Sequence, residues 1–135
     1  MQHPRLSCLL LFSACLWSAA QAQSPAGTLT NPLLPSGPDP WVTVRDGYYF
    51  YMNTTGASLV IWKTRGIAGL KNAERKVVWK APASGPNSRD IWAPELHFLS
   101  GKWYIYFAAD AGSNQSHRLW VLENTSPIPF RASGP

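Results

Sequence analysis

Seven short β-type runs, each closed by Gly, Pro, Asn, Asp or Ser, constrain this chain more than any other feature. Trp41-Val42-Thr43-Val44 alternates weakly and Asp46-Gly47 follows as a turn signal. Tyr48-Tyr49-Phe50-Tyr51-Met52 comes next, and β-rich runs flanking Asp-Gly predict a hairpin. Residues 53–57 form a second turn, 58–63 a third strand and 77–80 a fourth. The polar stretch 66–75 between them is a loop with room for a short helical turn. The pattern then recurs, with strands at 95–99, 103–107 and 117–122, a turn at Ser100-Gly101 and a loop over 110–115. Twelve prolines and ten glycines exclude long helices.

The recurrence is a repeat. Gly47-Tyr48-Tyr49-Phe50-Tyr51 is answered by Gly101-Lys102-Trp103-Tyr104-Ile105-Tyr106 with one extra residue, and Pro40 is answered by Pro94. A period of about 50 residues with four strands per unit is that of a β-propeller blade. A sandwich of seven short strands fits the same periodicity, and the four-strand grouping with its second copy favours the propeller. Two copies cannot close a ring, which takes about 4–8 blades. With 45% hydrophobic and 14% charged residues, the chain is neither disordered nor a coiled coil.

The N-terminus is of another kind. Arg5 precedes a mostly apolar run over 6–17, and Ala20-Gln21-Ala22 is a small-x-small site. This is the layout of a secretory signal peptide, too short to span a bilayer. A lipoprotein reading at Cys15 is the weaker alternative. Cleavage after Ala22 removes Cys8, Cys15 and His3, so the exported product has no disulfide and no thiol. Its localisation is secreted or periplasmic, with no membrane association after cleavage. Residues 23–38, rich in Pro, Gly, Ser and Thr, predict an extended leader, and 39–135 the blade-forming domain.

Few constellations carry chemistry. There is no Gly-x-Ser-x-Gly elbow and no Gly-rich phosphate loop. His97 and His117 are 20 residues apart and read as ordinary strand histidines, so no metal site is predicted. Lys71, Arg75, Lys76 and Lys80 are interrupted by Glu74 and have only Trp79 nearby, which suits a solvated loop and not a nucleic-acid groove. Sequons occur at Asn53, Asn114 and Asn124. Of the carboxylates, Asp46 and Asp110 read as turn formers beside small residues.

Two acids stand apart. Asp39 lies in Gly37-Pro38-Asp39-Pro40-Trp41 and Glu95 in Ile91-Trp92-Ala93-Pro94-Glu95-Leu96-His97. Each opens the first strand of its repeat, so in a propeller both would face the central funnel, each near a Trp. A carboxylate pair about 6.5–9.5 Å apart is what inverting glycoside hydrolysis requires. Prolines on both sides of Asp39 restrict its backbone. The plainer readings are an Asp-Pro turn for Asp39, and for Glu95 a strand-start carboxylate paired with Arg89 or His97.

These motifs resemble glycoside hydrolase family 43, five-bladed propellers acting on arabinan and xylan. The resemblance rests on Asn31 to Val42, on Asp46-Gly47-Tyr48-Tyr49-Phe50-Tyr51-Met52, and on the stretch from Ile91 to Tyr106. The form Trp92-Ala93-Pro94-Glu95-Leu96-His97 is most similar to the α-L-arabinofuranosidase and exo-arabinanase branch. It implies an all-β, five-bladed architecture of which this chain holds the first blade and most of the second. It implies Asp39 as the general base, and Trp92 and Ala93 as lining for the terminal sugar. The general acid and a third, pKa-tuning carboxylate would come from later blades, so the fragment itself is expected to be inactive. Glu95 becomes a substrate-binding or structural residue, and Trp41, beside Asp39, is a further substrate-binding candidate. No organic cofactor is expected. A structural Ca²⁺ is common in the family, without ligands assignable here. The expected partner is a polysaccharide or oligosaccharide. Alternatives are a β-xylosidase of the same family, a non-catalytic carbohydrate-binding propeller using Trp41, Trp92 and Trp103, and a secreted sandwich that binds a partner.

Overall fold

The computed structural model describes residues 29–126 and Pro129. The signal segment 1–22 and the first part of the leader lie outside the described residues. Seven strands follow in order: β1 (Trp41–Arg45), β2 (Tyr48–Met52), β3 (Ser58–Thr64), β4 (Glu74–Lys80), β5 (Arg89–Leu99), β6 (Lys102–Asp110) and β7 (Arg118–Asn124). A 3₁₀ turn over Ile67–Asn72 fills the loop where a short helical turn was expected, and another spans Asn114–Ser116. The strands form two antiparallel meanders, β1-β2-β3-β4 and β5-β6-β7.

Turn chemistry sets both leading hairpins. Arg45 pairs with Tyr48, and Leu99 with Lys102, so each loop is two residues long. Asp46 and Gly47 have φ of 51° and 73°, and Ser100 and Gly101 have 48° and 83°. Two positive φ values in succession define the turn whose twist matches that of paired strands.

Strand bounds differ from the sequence expectation most at two starts, and β6 also runs on to Asp110, into the expected loop. β4 begins at Glu74, inside the expected loop. β5 begins at Arg89, six residues before the expected start at Glu95. Pro94 looked like a strand boundary, but it lies buried within β5. The register with β6 shifts on both sides of Trp92, and such bulges accommodate a residue that cannot donate to the ladder.

The two sheets share one core. Phe50, Met52, Leu59 and Ile61 of the first meet Ile91, Leu96, Trp103, Ile105, Phe107 and Ala109 of the second. Phe50 and Trp103 rings lie 5.4 Å apart, and Trp79 and Phe107 rings 5.2 Å. At the β1–β5 edge the Trp41 indole N–H donates to the Leu96 carbonyl at 3.0 Å. The Arg45 guanidinium covers the Phe98 ring at 3.5 Å. Trp103 is only 2% exposed, so it is a core residue and not a stacking platform.

Among the described residues no strand crosses from one sheet to the other, whereas sandwiches exchange strands through Greek-key connections. Consecutive meanders, stacked with their first strands adjacent, are the connectivity of propeller blades. The far face of each sheet is partly bare. Val42 and Val44 share a face with Tyr51 and Tyr49, and expose 45% and 60% of their surface. On the other sheet Leu119 and Val121 are exposed.

The leader is not a free extension where it is described. Leu33 and Leu34 pack on a second core of Tyr51, Val60, Trp62 and Leu70, on the face of the first sheet away from the shared core. Burial raises the Tyr51 phenol above its ordinary value. Gly37 passes so close that a Cβ there would stand 2.6 Å from the Tyr51 hydroxyl oxygen. Gly37→Ala is expected to cost about 1–3 kcal/mol by overpacking. Adding Tyr51→Phe should recover most of that loss, measured as a double-mutant cycle in urea denaturation.

Candidate active site

At the end of the first sheet where β1 begins and β2 ends, three segments converge: residues 38–40, the loop 53–57 and the start of β5. The loop is the joint. Thr54 N–H donates to the Pro38 carbonyl at 3.0 Å, and Ile91 N–H donates to the Gly56 carbonyl at 3.2 Å. Between these backbone bonds lies a side-chain relay. Ala93 N–H donates to Thr54 Oγ1 at 2.7 Å, and Thr54 Oγ1 donates to Asp39 Oδ2 at 2.7 Å.

The backbone here is unusual. Among the described residues, five that are not glycine have positive φ. Asp46 and Ser100 serve hairpin turns; the other three are Asp39 at 53°, Asp90 at 51° and Ala93 at 45°. Alanine gains nothing locally from this region, and such conformations cost about 1–3 kcal/mol unless the surroundings enforce them. Asp39 sits exposed between two prolines, with its carboxylate held by Thr54.

The five residues singled out in the sequence fall into two groups. Asp39, Ala93 and, by adjacency, Trp92 are joined through Thr54. Trp92 is 37% exposed, and its ring lies 4.6 Å from that of His117 at 36°. Trp41 and Glu95 meet instead at His97. The Glu95 carboxylate is 3.1 Å from His97 Nε2, the pairing allowed for in the sequence, and the Trp41 ring is 4.9 Å from the imidazole. With its N–H given to Leu96, Trp41 belongs to the seam between the sheets more than to an open wall.

Sequence reasoning missed three participants. Thr54 lay inside a stretch read only as a turn. Asp110, read as a loop residue, ends β6 fully buried. Its Oδ1 does accept the Gly112 N–H at 2.6 Å, as a turn former would. Its Oδ2 stands 3.1 Å from His117 Nδ1, off the line of a good hydrogen bond. His117, read as an ordinary strand histidine, lies just before β7 and backs Trp92. No local signal could have found this pair, because only the β6–β7 hairpin brings the two together. Asn53 is also corrected: it is 6% exposed with its amide donating to the Thr54 carbonyl, so the folded chain does not present it as a glycan acceptor.

Among the described residues no three His, Cys, Asp or Glu side chains group closely enough to hold a metal ion.

The profile described as Glycosyl hydrolases family 43 matches residues 29–134. The chain belongs to glycosyl hydrolase family 43. An extracellular exo-α-(1→5)-L-arabinofuranosidase of Streptomyces chartreusis is 39% identical over 107 residues, covering 76% of this chain and 33% of that protein. Alpha-L-arabinofuranosidase 43 of Humicola insolens is 36% identical, covering 90% of this chain and 25% of its own length. The crystal structure of the α-L-arabinofuranosidase from Lactobacillus brevis matches with a TM-score of 0.70 at 33% identity, over 76% of this chain and 35% of that one. The chain thus spans about a third or less of these family 43 relatives. Their fold is the five-bladed β-propeller, and the two sheets here are its first blade and three strands of its second.

Removing the buried carboxylate tests the support behind Trp92. Asp110→Ala leaves the Gly112 N–H without its acceptor and removes the carboxylate 3.1 Å from His117 Nδ1. The expected loss is about 2–4 kcal/mol, read from the urea midpoint, with Asp110→Asn losing less because it can still accept from Gly112.

Proposed function

We propose that this chain supplies the first blade and most of the second of an exported, inverting glycoside hydrolase that releases L-arabinofuranose from arabinan or arabinoxylan side chains. In this reading residues 1–22 are the export signal, 23–38 the leader, and 39–135 the blade-forming part. Membership of family 43 and the names of the relatives support the reaction class, and two relatives named extracellular support export. The observation that carries the reading is the tethered Asp39 carboxylate, exposed beside the segment that holds Trp92 and Ala93.

The chemistry follows from that placement. Inversion needs a carboxylate that takes a proton from water as the water attacks the anomeric carbon, and an acid on the opposite side that protonates the leaving oxygen. Asp39 is the base. The half-exposed Trp92 indole offers a flat apolar face to a furanose ring, and the small Ala93 side chain leaves room beside it. Glu95, paired with His97, and Trp41, fixed at the seam, act from the pocket's edge and frame it. The acid comes from a later blade, so these two blades alone do not turn over substrate. The bare faces carrying Val42 and Val44, and Leu119 and Val121, are those that neighbouring blades cover.

Asp39→Asn in the full-length enzyme is expected to lower kcat on an aryl α-L-arabinofuranoside by about 10²–10⁴-fold, the usual contribution of a general base. Proton NMR of the wild-type reaction should show the inverted anomer appearing first. Wild-type rates in Asp39→Asn would remove Asp39 from the base role, and faster cleavage of an aryl β-D-xyloside would move the substrate to xylan.

A further inference from the structure

We infer that Thr54 is a positioning residue that selects which oxygen of Asp39 receives the proton; this rests on Asp39 being the base. The direction of the relay follows from its donors. The Ala93 amide can only donate, and it donates into Thr54 Oγ1 at 2.7 Å. The hydroxyl proton is thereby directed away from Ala93, and Asp39 Oδ2 lies 2.7 Å from the same oxygen. A carboxylate accepts and a hydroxyl carries one proton, so the pair has a single sense: amide to hydroxyl to carboxylate. Oδ2 is thereby engaged, and Oδ1 has no hydrogen-bond partner among the described residues. Oδ1 is the oxygen left for water.

The device is also braced from both sides. Thr54 N–H binds the carbonyl of Pro38, the residue before Asp39, and Gly56, two residues after Thr54, receives the Ile91 N–H. One short loop therefore ties the base of the first blade to the sugar-facing turn of β5. The positive φ of Ala93 aims its N–H at the loop, which gives this strained residue a task. A base held by a second group loses fewer orientations before each proton transfer, and misplacement by about 1 Å can cost about 10²-fold in rate.

The test uses three variants of the full-length enzyme on an aryl α-L-arabinofuranoside. Thr54→Val keeps the shape and removes the hydroxyl; kcat should fall about 10–100-fold with KM within about threefold of wild type. Thr54→Ser returns the hydroxyl and should restore kcat to within about threefold. Asp39→Asn should be the most impaired of the three. A Thr54 that serves only to stabilise would instead give Thr54→Val a lowered melting temperature with kcat unchanged below it. Unchanged kcat in Thr54→Val, beside an inactive Asp39→Asn, overturns the inference and leaves the base assignment standing. An active Asp39→Asn overturns the base assignment itself. Should Thr54→Val fail to fold, Thr54→Ala removes the same hydroxyl without adding an apolar branched chain, and equal kcat in Thr54→Ala and Thr54→Ser overturns the inference.

Discussion

Everything at the tethered carboxylate depends on the apolar seam between the two sheets. Phe50, Met52 and Ile61 on one side and Leu96, Trp103 and Phe107 on the other exclude water from the junction. The Trp41 indole closes its edge by binding a carbonyl of β5, 55 residues away in sequence. Burial of this kind contributes roughly 1.5–3 kcal/mol per large side chain, more than any of the exposed polar contacts nearby. The seam is therefore what brings β5 within reach of the loop 53–57, and the hydrogen bonds through Thr54 then fix the fine position.

This division of labour separates strength from precision. The seam is broad, and its strength comes from the apolar area it buries. The relay from Ala93 through Thr54 to Asp39 consists of two hydrogen bonds of 2.7 Å, whose worth lies in direction. Strain gathers at the same end of the molecule: of the five described non-glycine residues with positive φ, three are Asp39, Asp90 and Ala93. The bulges flanking Trp92 belong to the same pattern, since an extra residue in a strand re-aims the side chains beside it. Behind Trp92, the partly exposed His117, set beside the buried Asp110, gives the indole a fixed support.

Much of the fold was legible before any coordinates. The Asp46-Gly47 and Ser100-Gly101 turns, the aromatic strands after them and the two-unit repeat all depend on neighbours in the chain. Pro94 misled, because a proline inside a strand reads as a boundary unless the bulge beside it is known. Trp103 misled for another reason: composition shows how many aromatics there are, and only packing shows which face they take. Asp39 stood out through its two prolines, and Trp92 and Ala93 through the family pattern. Thr54 and the Asp110–His117 pair gave no such sign.

The sequence by itself determined where strands and turns lie, that two similar units follow one another, and which acid sits in a restrained backbone. Those properties come from φ/ψ preferences and side-chain alternation, which act over a few residues. The tertiary structure alone decided that Thr54 touches both Asp39, 15 residues before it, and Ala93, 39 residues after it. It also decided that Asp110 is buried and Trp103 is not on the surface. A hydrogen bond of 2.7 Å needs its partners placed to a few tenths of an ångström, and that placement comes from how two whole sheets settle against each other.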